Sequence, residues 1–336
     1  MRAISLLSGG LDSLLSTRMI LDQGIDVEAF NTITAFCTCT TKGSSCSAAE
    51  SAVRQLGISL KVVNSTNEIL ELVKSPPHGY GSNINPCIDC RILLFRKAGA
   101  YMRETGASFI VTGEVLGERP MSQRRQAMEL IERESGLDGL VVRPLSAALL
   151  EPSIPEQKGW VDRSRLMDIR GRSRKPQIEM ARTFGFGDYP CPAGGCLLTD
   201  SGFARRMRDL IAHSPETPLN DVHLLKVGRH FRLSPEVKVI VGRDEKENNR
   251  LLQLARDDDT LLELADILGP LTVVRGPATP EQIEIAAAMT VRYSKARSQD
   301  EAAVAVRDKA ASSKTILRIS PAGDELLDRC RIGVGQ

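Results

Sequence analysis

Ser8-Gly9-Gly10-Leu11-Asp12-Ser13 follows an apolar run, Ala3 to Leu7, and leads directly into a helix-like run, Leu11 to Gln23. A strand, a glycine turn and a helix start together make an anion site. Adjacent glycines let the backbone approach a phosphate closely, the unpaired N–H groups of the helix start point at it, and the Ser8 and Ser13 hydroxyls add donors. No Lys follows the glycines, so this is not the GxxxxGK[ST] loop of the common ATPases. The bland alternative is a Gly-Gly turn with no ligand. Asp12 argues against it, because a carboxylate in an anion-binding loop makes sense when a divalent cation or the loop itself needs it.

Outward from this loop the pattern alternates. Strand-like runs at Val27–Phe36, Leu60–Val63, Ser108–Thr112 and Leu140–Val142 are separated by helix-like runs at Ala48–Leu56, closed by Gly57, and at Arg91–Glu104. A further helix is expected at Ala127–Glu134. Strand alternating with helix predicts an α/β fold with a doubly wound parallel sheet, whose ligands bind beyond the carboxyl ends of the strands. Thr112-Gly113 and the following Glu114 to Glu118 leave one of those ends, so they belong near the site. The Pro-rich segment Glu151–Lys158 reads as a loop.

The eight Cys, in a chain without a signal-peptide pattern, point to metal or redox chemistry more than to a disulfide framework. Cys37, Cys39 and Cys46, three Cys in ten residues, could bind a metal, but with no His or fourth Cys nearby they read more readily as a loop near the site without a fixed ligand role. Asn85-Pro86-Cys87-Ile88-Asp89-Cys90 opens the helix to Glu104. Two thiols at a helix start are expected to have lowered pKa, and can face one metal or cluster or act as a redox pair. Tyr189 to Cys196, with two Pro and two Gly, is a shaped loop carrying Cys191 and Cys196. Cys87 and Cys90 with Cys191 and Cys196 suit zinc or an iron–sulfur cluster.

The 336 residues are 42% hydrophobic and 26% charged, an ordinary globular composition with room for about two domains. A formal charge of +2 decides nothing about partners. Locally, Arg163 to Arg182 holds seven Lys or Arg against Asp168 and Glu179, a candidate phosphate-tracking surface or a solvated helix face. No apolar stretch reaches the ~18 residues of a membrane span, so the expectation is a cytoplasmic protein with no membrane partner. Beyond about residue 205 the pattern changes. Val227-Gly228-Arg229 and Val239 to Arg243 are short strand-like runs ending in Gly-Arg, Glu247-Asn248-Asn249 opens a helix, and Gln282 to Tyr293 reads as another. Ser320 to Gln336 shows no motif, and Cys330 reads as incidental.

The loop resembles the SGGxDS signature of the PP-loop ATP pyrophosphatases (adenine nucleotide alpha hydrolases), matching it at every fixed position. The resemblance implies that Ser8, Gly9, Gly10, Asp12 and Ser13 hold ATP and Mg²⁺, and that AMP is transferred with release of pyrophosphate. Asn85-Pro86-Cys87 to Cys90, Thr112-Gly113 and Cys196 resemble motifs of tRNA 2-thiouridine and 4-thiouridine synthases. Carried over, Thr112 and Gly113 complete the nucleotide site, Asp12, Cys87 and Cys196 are catalytic, and Cys87, Cys90 and Cys196 are ligands of a [4Fe-4S] cluster. Cys191 departs from that set, and a persulfide relay on Cys87 and Cys196 is the variant without a cluster. No additional N-terminal tRNA-binding or rhodanese-like domain of the 4-thiouridine type is expected. Residues past 205 resemble the RNA-binding NFACT-R domain.

The reading is therefore a PP-loop sulfurtransferase domain at residues 1–204 and a smaller α+β RNA-binding domain at 205–336. Together they would form an ATP-dependent tRNA sulfurtransferase (thiolase) that takes sulfur from sulfide or a persulfide carrier, with a homodimer left open. The rivals are an adenylating enzyme acting on a small molecule and a non-catalytic RNA-binding protein that uses ATP as a ligand.

Overall fold

The computed structural model describes residues 1–37, 47–187, 189, 196–311 and 313–333. Two compact units divide at Thr199/Asp200. The division falls just before a helix whose first N–H groups are capped by Asp200, which accepts from Phe203 N.

In chain order, unit 1 runs β1 (Arg2–Leu6), α1 (Leu11–Leu21), β2 (Asp26–Ile33), α2 (Ser47–Leu56), β3 (Leu60–Asn64), α3 (Thr66–Lys74) and α4 (Cys87–Glu104). It continues through β4 (Phe109–Thr112), α5 (Arg125–Ser135), β5 (Val141–Val142), α6 (Ile154–Gln157) and α7 (Lys175–Thr183). The five strands are parallel, in the order β3-β2-β1-β4-β5. Alternating residues of each strand face opposite sides. Ala3, Val27, Phe109 and Val111 pack with Leu14 and Leu15 of α1 and Ala181 of α7, whereas Ile4, Phe30 and Ile110 pack with Ile92 and Phe95 of α4 and Ile131 of α5. Both faces are covered, as expected of the doubly wound class.

Unit 2 runs α8 (Ser201–His213), α9 (Leu219–Leu224), β6 (Arg229–Arg232), β7 (Lys238–Val241), α10 (Glu245–Leu254), β8 (Thr260–Leu264) and β9 (Thr272–Arg275). It ends with α11 (Pro280–Arg292), β10 (Ala302–Asp308), β11 (Thr315–Ile319) and α12 (Asp324–Cys330). Its sheet is antiparallel, in the order β11-β10-β8-β9-β7-β6. Ala286, Ala287 and Met289 of α11 pack on one face against Phe231, Val239 and Val274, while Leu251 and Leu254 of α10 pack on the other against Ile240, Leu261 and Val273. This is a separate α+β fold.

Local expectations differ from the structure in three places. The segment Glu151–Lys158 contains α6: Ser153 and Glu156 form a reciprocal capping box, and Pro155 sits in the first turn, where its missing N–H costs nothing. The basic run from Arg163 is not one helix but a 3₁₀ turn, Arg163–Arg165, and then the start of α7 at Lys175. The C-terminal tail carries α12, with Asp324 and Glu325 in its first turn. Among the described residues no helix is long and apolar enough to cross a membrane.

Candidate functional site

The Ser8–Ser13 loop leaves the carboxyl end of β1, and Gly10 is the N-cap of α1 in an extended conformation. Gly9 has φ +80°, and a Cβ there would lie 2.3 Å from the Ala48 carbonyl carbon, so only glycine fits. Gly10 N donates to Ser8 Oγ at 3.3 Å, and Ser13 Oγ lies 2.9 Å from Gly10 O and 3.2 Å from Ser8 Oγ. Behind the loop a buried ladder, Ser13 O to Thr17 Oγ1 to Ser5 Oγ at 2.7 Å each, ties α1 to β1. The loop is therefore held from both sides.

Gly113 follows Thr112 at the end of β4, and a Cβ on it would stand 2.4 Å from Ser13 N and 2.5 Å from Asp12 C. The turn after β4 thus packs on the backbone of the first turn of α1, which brings Thr112 and Gly113 beside Ser8–Ser13. Asp12 Oδ2 is 3.5 Å from Arg174 Nη2, while Asp12 Oδ1 is buried with no hydrogen-bond partner. Burial raises the Asp12 carboxyl above its ordinary value, with Arg174 and then Gln177 acting the other way. Glu118 is raised as well, by burial and then by the charge of Asp12. A buried, unpartnered carboxylate oxygen with a second carboxylate close by fits a hard divalent cation such as Mg²⁺, which is commonly held by one or two carboxylates and substrate phosphates.

Arg174 corrects the reading of the basic run. Its guanidinium turns to Asp12 at the nucleotide loop, Arg163 is taken by Glu156 and Leu150 O, and Arg165 donates to Asp22 O while staying exposed with Arg170, Arg172, Lys175 and Arg182.

The thiols gather at the same sheet edge. In a parallel sheet the helix entering a strand starts at the carboxyl edge, so the N-terminus of α4 lies there, and so does Cys37, which follows β2. Cys87 is the first residue of α4, and Cys90 N closes the turn on Pro86 O at 2.8 Å. Leu197 N donates to Phe36 O at 3.2 Å, Ile84 N to Leu198 O at 3.3 Å and Asn83 Nδ2 to Thr199 O at 2.7 Å. These bonds pin the segment after Cys196 to the residue before Cys37 and to the approach to α4.

The expectation of lowered thiol pKa fails at Cys90. Burial, and then the neighbouring Cys196 and Cys87, push it up to about 12. Cys196 keeps surface open to solvent, yet desolvation by the protein around it raises its thiol to about 11. Cys37 acts electrostatically on both, so it joins the thiols that sequence reasoning grouped without it. Its place directly past the end of β2 was the available signal. Cys39, Cys46 and Cys191 lie outside the described residues. Among the described residues no group of three or more His, Cys, Asp or Glu is arranged to hold a metal ion.

Sequence reasoning also missed the polar frame under α4. Glu114, fully buried, accepts from Arg91 Nε at 3.1 Å and Arg143 Nε at 3.0 Å, and Arg143 also pairs with Glu132. Burial acts to raise the Glu114 carboxyl, but the two guanidiniums hold it below its usual value. Arg91 also stacks on Phe95, 5.3 Å from the ring centre. Asp89, on the same helix, holds His78 from the preceding loop: His78 Nδ1 is 2.7 Å from Asp89 Oδ1, His78 N donates to Asp89 Oδ2 at 3.2 Å, and His78 Nε2 is 3.1 Å from Glu134. The hydrogen bond to Asp89 raises the imidazole above its ordinary value. Both ties fix the helix turn that carries Cys87 and Cys90.

Fold and loop make unit 1 a PP-loop-type α/β domain, and unit 2 is a separate antiparallel α+β domain. Residues 1–151 match the family described as thiamine biosynthesis protein (ThiI), and residues 228–330 match the NFACT protein RNA binding domain. No curated protein sequence matches the chain. Among solved structures, a 4-thiouridine synthetase–RNA complex with bound ATP aligns over 55% of this chain and 41% of its own, at 24% identity and TM-score 0.39. The U34-tRNA thiolase NcsA from Methanococcus maripaludis with its [4Fe-4S] cluster aligns over 67% and 71%, at 16% identity and TM-score 0.32. The C-terminal part of the fibronectin/fibrinogen-binding protein from Streptococcus suis aligns over 79% and 97%, at 12% identity and TM-score 0.29.

Proposed function

We propose that the protein is a cytoplasmic, ATP-dependent sulfurtransferase that adenylates a carbonyl oxygen of a tRNA base and replaces it with sulfur. The observation that carries this reading is the gathering of Cys37, Cys87, Cys90 and Cys196 at the sheet edge that also holds the Ser8–Ser13 loop. An oxygen on a base is a poor leaving group and must be activated before sulfur can displace it. The base oxygen attacks the α-phosphorus of ATP, the bond from that phosphorus to the bridging oxygen breaks, and pyrophosphate leaves onto the N–H groups and hydroxyls of Ser8 to Ser13. Arg174, beside Asp12, meets the charge that develops. Mg²⁺ held by Asp12, with Glu118 close by, would neutralise the phosphates. The base is reached as an unstacked nucleotide.

For the sulfur step the thiols allow a persulfide relay on Cys87 and Cys196, with a [4Fe-4S] cluster on Cys87, Cys90 and Cys196 as the alternative. A persulfide on Cys87 or Cys196, loaded by a carrier, attacks the activated carbon through its terminal sulfur and AMP departs. The other thiol then attacks the Cys-bound sulfur, which releases the thiocarbonyl and leaves a disulfide for an external dithiol to reduce. The domain at residues 205–336 grips the tRNA.

The test is product analysis with tRNA and ATP. AMP and pyrophosphate are expected, with Asp12→Ala folded but at least 10²-fold slower, about the loss that follows misplaced charge at such a centre. ADP and phosphate as products would sink the assignment. Stoichiometric iron lost on replacing any one of Cys87, Cys90 and Cys196 would favour the cluster over the relay.

A further inference from the structure

In unit 2 several arginines are neutralised. Arg232 pairs with Asp209, Arg275 with Asp221 and Asp259, and Arg292 with Asp324. A second set is not. The Arg229 guanidinium lies 4.5 Å from the Tyr293 ring centre, and Arg331 lies 5.7 Å from that of Phe231 and donates to the Tyr293 hydroxyl. Among the described residues neither is paired with a carboxylate, and the same holds for exposed Arg205 on α8. Arg243 joins them, matched by Glu247 at 2.7 Å.

The backbone draws these groups together. Arg331 forms an antiparallel bridge with Phe231 of β6, Ile332 N donates to His230 O at 3.0 Å, and Gly333 lies so close to Arg205 that a Cβ on it would be 3.1 Å from Nε. The crowding is felt electrostatically. Burial first pulls Arg229 below the usual guanidinium range, with Arg243 and Arg331 adding to it and Tyr293 and Glu247 opposing. Burial does the same to Arg206, with Arg243 and Arg205 adding to it and Asp200 and Glu247 opposing. Like charges held this close are a standing cost that an anion relieves.

We propose that Arg205, Arg229, Arg243 and Arg331, arranged around Tyr293, form a site for the phosphodiester backbone of RNA. The site reads backbone and not base. The Tyr293 ring is already covered by Arg229 and its hydroxyl is held by Arg331, so no base stacks there. Arg205 and Arg331 lie outside the span 228–330 matched by the RNA-binding family, so the chain's own flanks enlarge the site. The choice of RNA as the polyanion rests on the function proposed above.

The experiment measures binding of full-length protein to labelled tRNA without ATP, from 50 to 300 mM salt. Each of Arg205→Gln, Arg229→Gln and Arg331→Gln should lower the slope of log K against log salt by about 0.7–0.9 and weaken binding about 5- to 10-fold at 0.1 M. Arg229→Lys and Arg331→Lys should keep the slope, and Arg205→Gln changes a side chain on the surface, so its result stands clear of folding. RNAs of equal length and fold but different sequence should bind within about threefold of one another, as backbone contacts require. An unchanged slope in Arg205→Gln and in the triple variant would overturn the site, and so would equally tight binding of poly-glutamate, which would point to an acidic protein partner. Pyrophosphate release by the parent protein separates the outcomes. If it is absent while the slopes change as described, the adenylation reading fails and this site stands.

Discussion

Gly113→Ala tests the contact that joins the β4 turn to the nucleotide loop. The added Cβ would sit 2.4 Å from Ser13 N, 2.5 Å from Asp12 C and 2.7 Å from Asp12 O, all backbone atoms at the start of α1. Ordinary contact is ~3.5 Å, so one of the two segments must move by about 1 Å. Overpacking of this kind costs about 1–3 kcal/mol of stability, and a 1 Å displacement of a positioned group lowers turnover about 10²-fold. The assay is pyrophosphate release with saturating ATP and tRNA, alongside thermal unfolding. The control is Gly57→Ala: its φ is +69°, but a Cβ there meets nothing within 4 Å. It should cost about 1–2 kcal/mol through backbone strain and leave turnover per folded molecule unchanged. If Gly113→Ala turned over like the parent, the claim that this glycine sets the loop's position would be refuted.

Two further outcomes follow from the titrating groups. Alkylation of Cys196 by iodoacetamide at pH 8 should run about 10²-fold slower than that of an ordinary thiol of pKa ~8.5, and Cys90 slower still, with both rates still climbing above pH 10; a rate that levels off near pH 7 for either thiol would contradict the desolvation argument. His78→Gln should destabilise the protein below about pH 6.5, because a group with a raised folded pKa contributes fully below its unfolded value and loses the contribution as pH rises through the folded one. The two stability curves should then converge at alkaline pH, and a constant gap up to pH 9 would mean that His78 acts only through its uncharged contacts.

The sheet of unit 1 was legible because strand-like runs alternate with helix-like ones, and two of the strands, β1 and β4, are apolar and run into a glycine, at Leu6 to Gly9 and Thr112 to Gly113. The nucleotide loop was legible because its residues are contiguous. What stayed hidden depends on contacts across the chain. Arg174 pairs with Asp12, 162 positions away, and no local pattern distinguishes it from Arg172. Cys37 looked like part of a Thr/Ser loop because its neighbours, Cys87, Cys90 and Cys196, arrive from other segments. The prediction for Cys90 failed through burial: a helix start lowers a thiol pKa where water can reach it, and desolvation outweighs that effect here. In α6 the pair Ser153 and Glu156 spelled a capping box, but two Pro in the segment masked it.

The two-residue strand β5 also bears on how the protein behaves in a crowded solution. An edge strand offers unpaired N–H and C=O groups to any passing chain, and a long flat edge invites sheet-to-sheet stacking. Here β5 pairs with β4 only at Ile110↔Val141 and Val111↔Val142, and the chain then turns away through Arg143-Pro144. Proline has no N–H to give, and the buried guanidinium of Arg143 is locked to Glu114 and Glu132. The parallel sheet, slow to assemble and exposed while it does so, therefore ends on this side in an edge too short to seed aggregates.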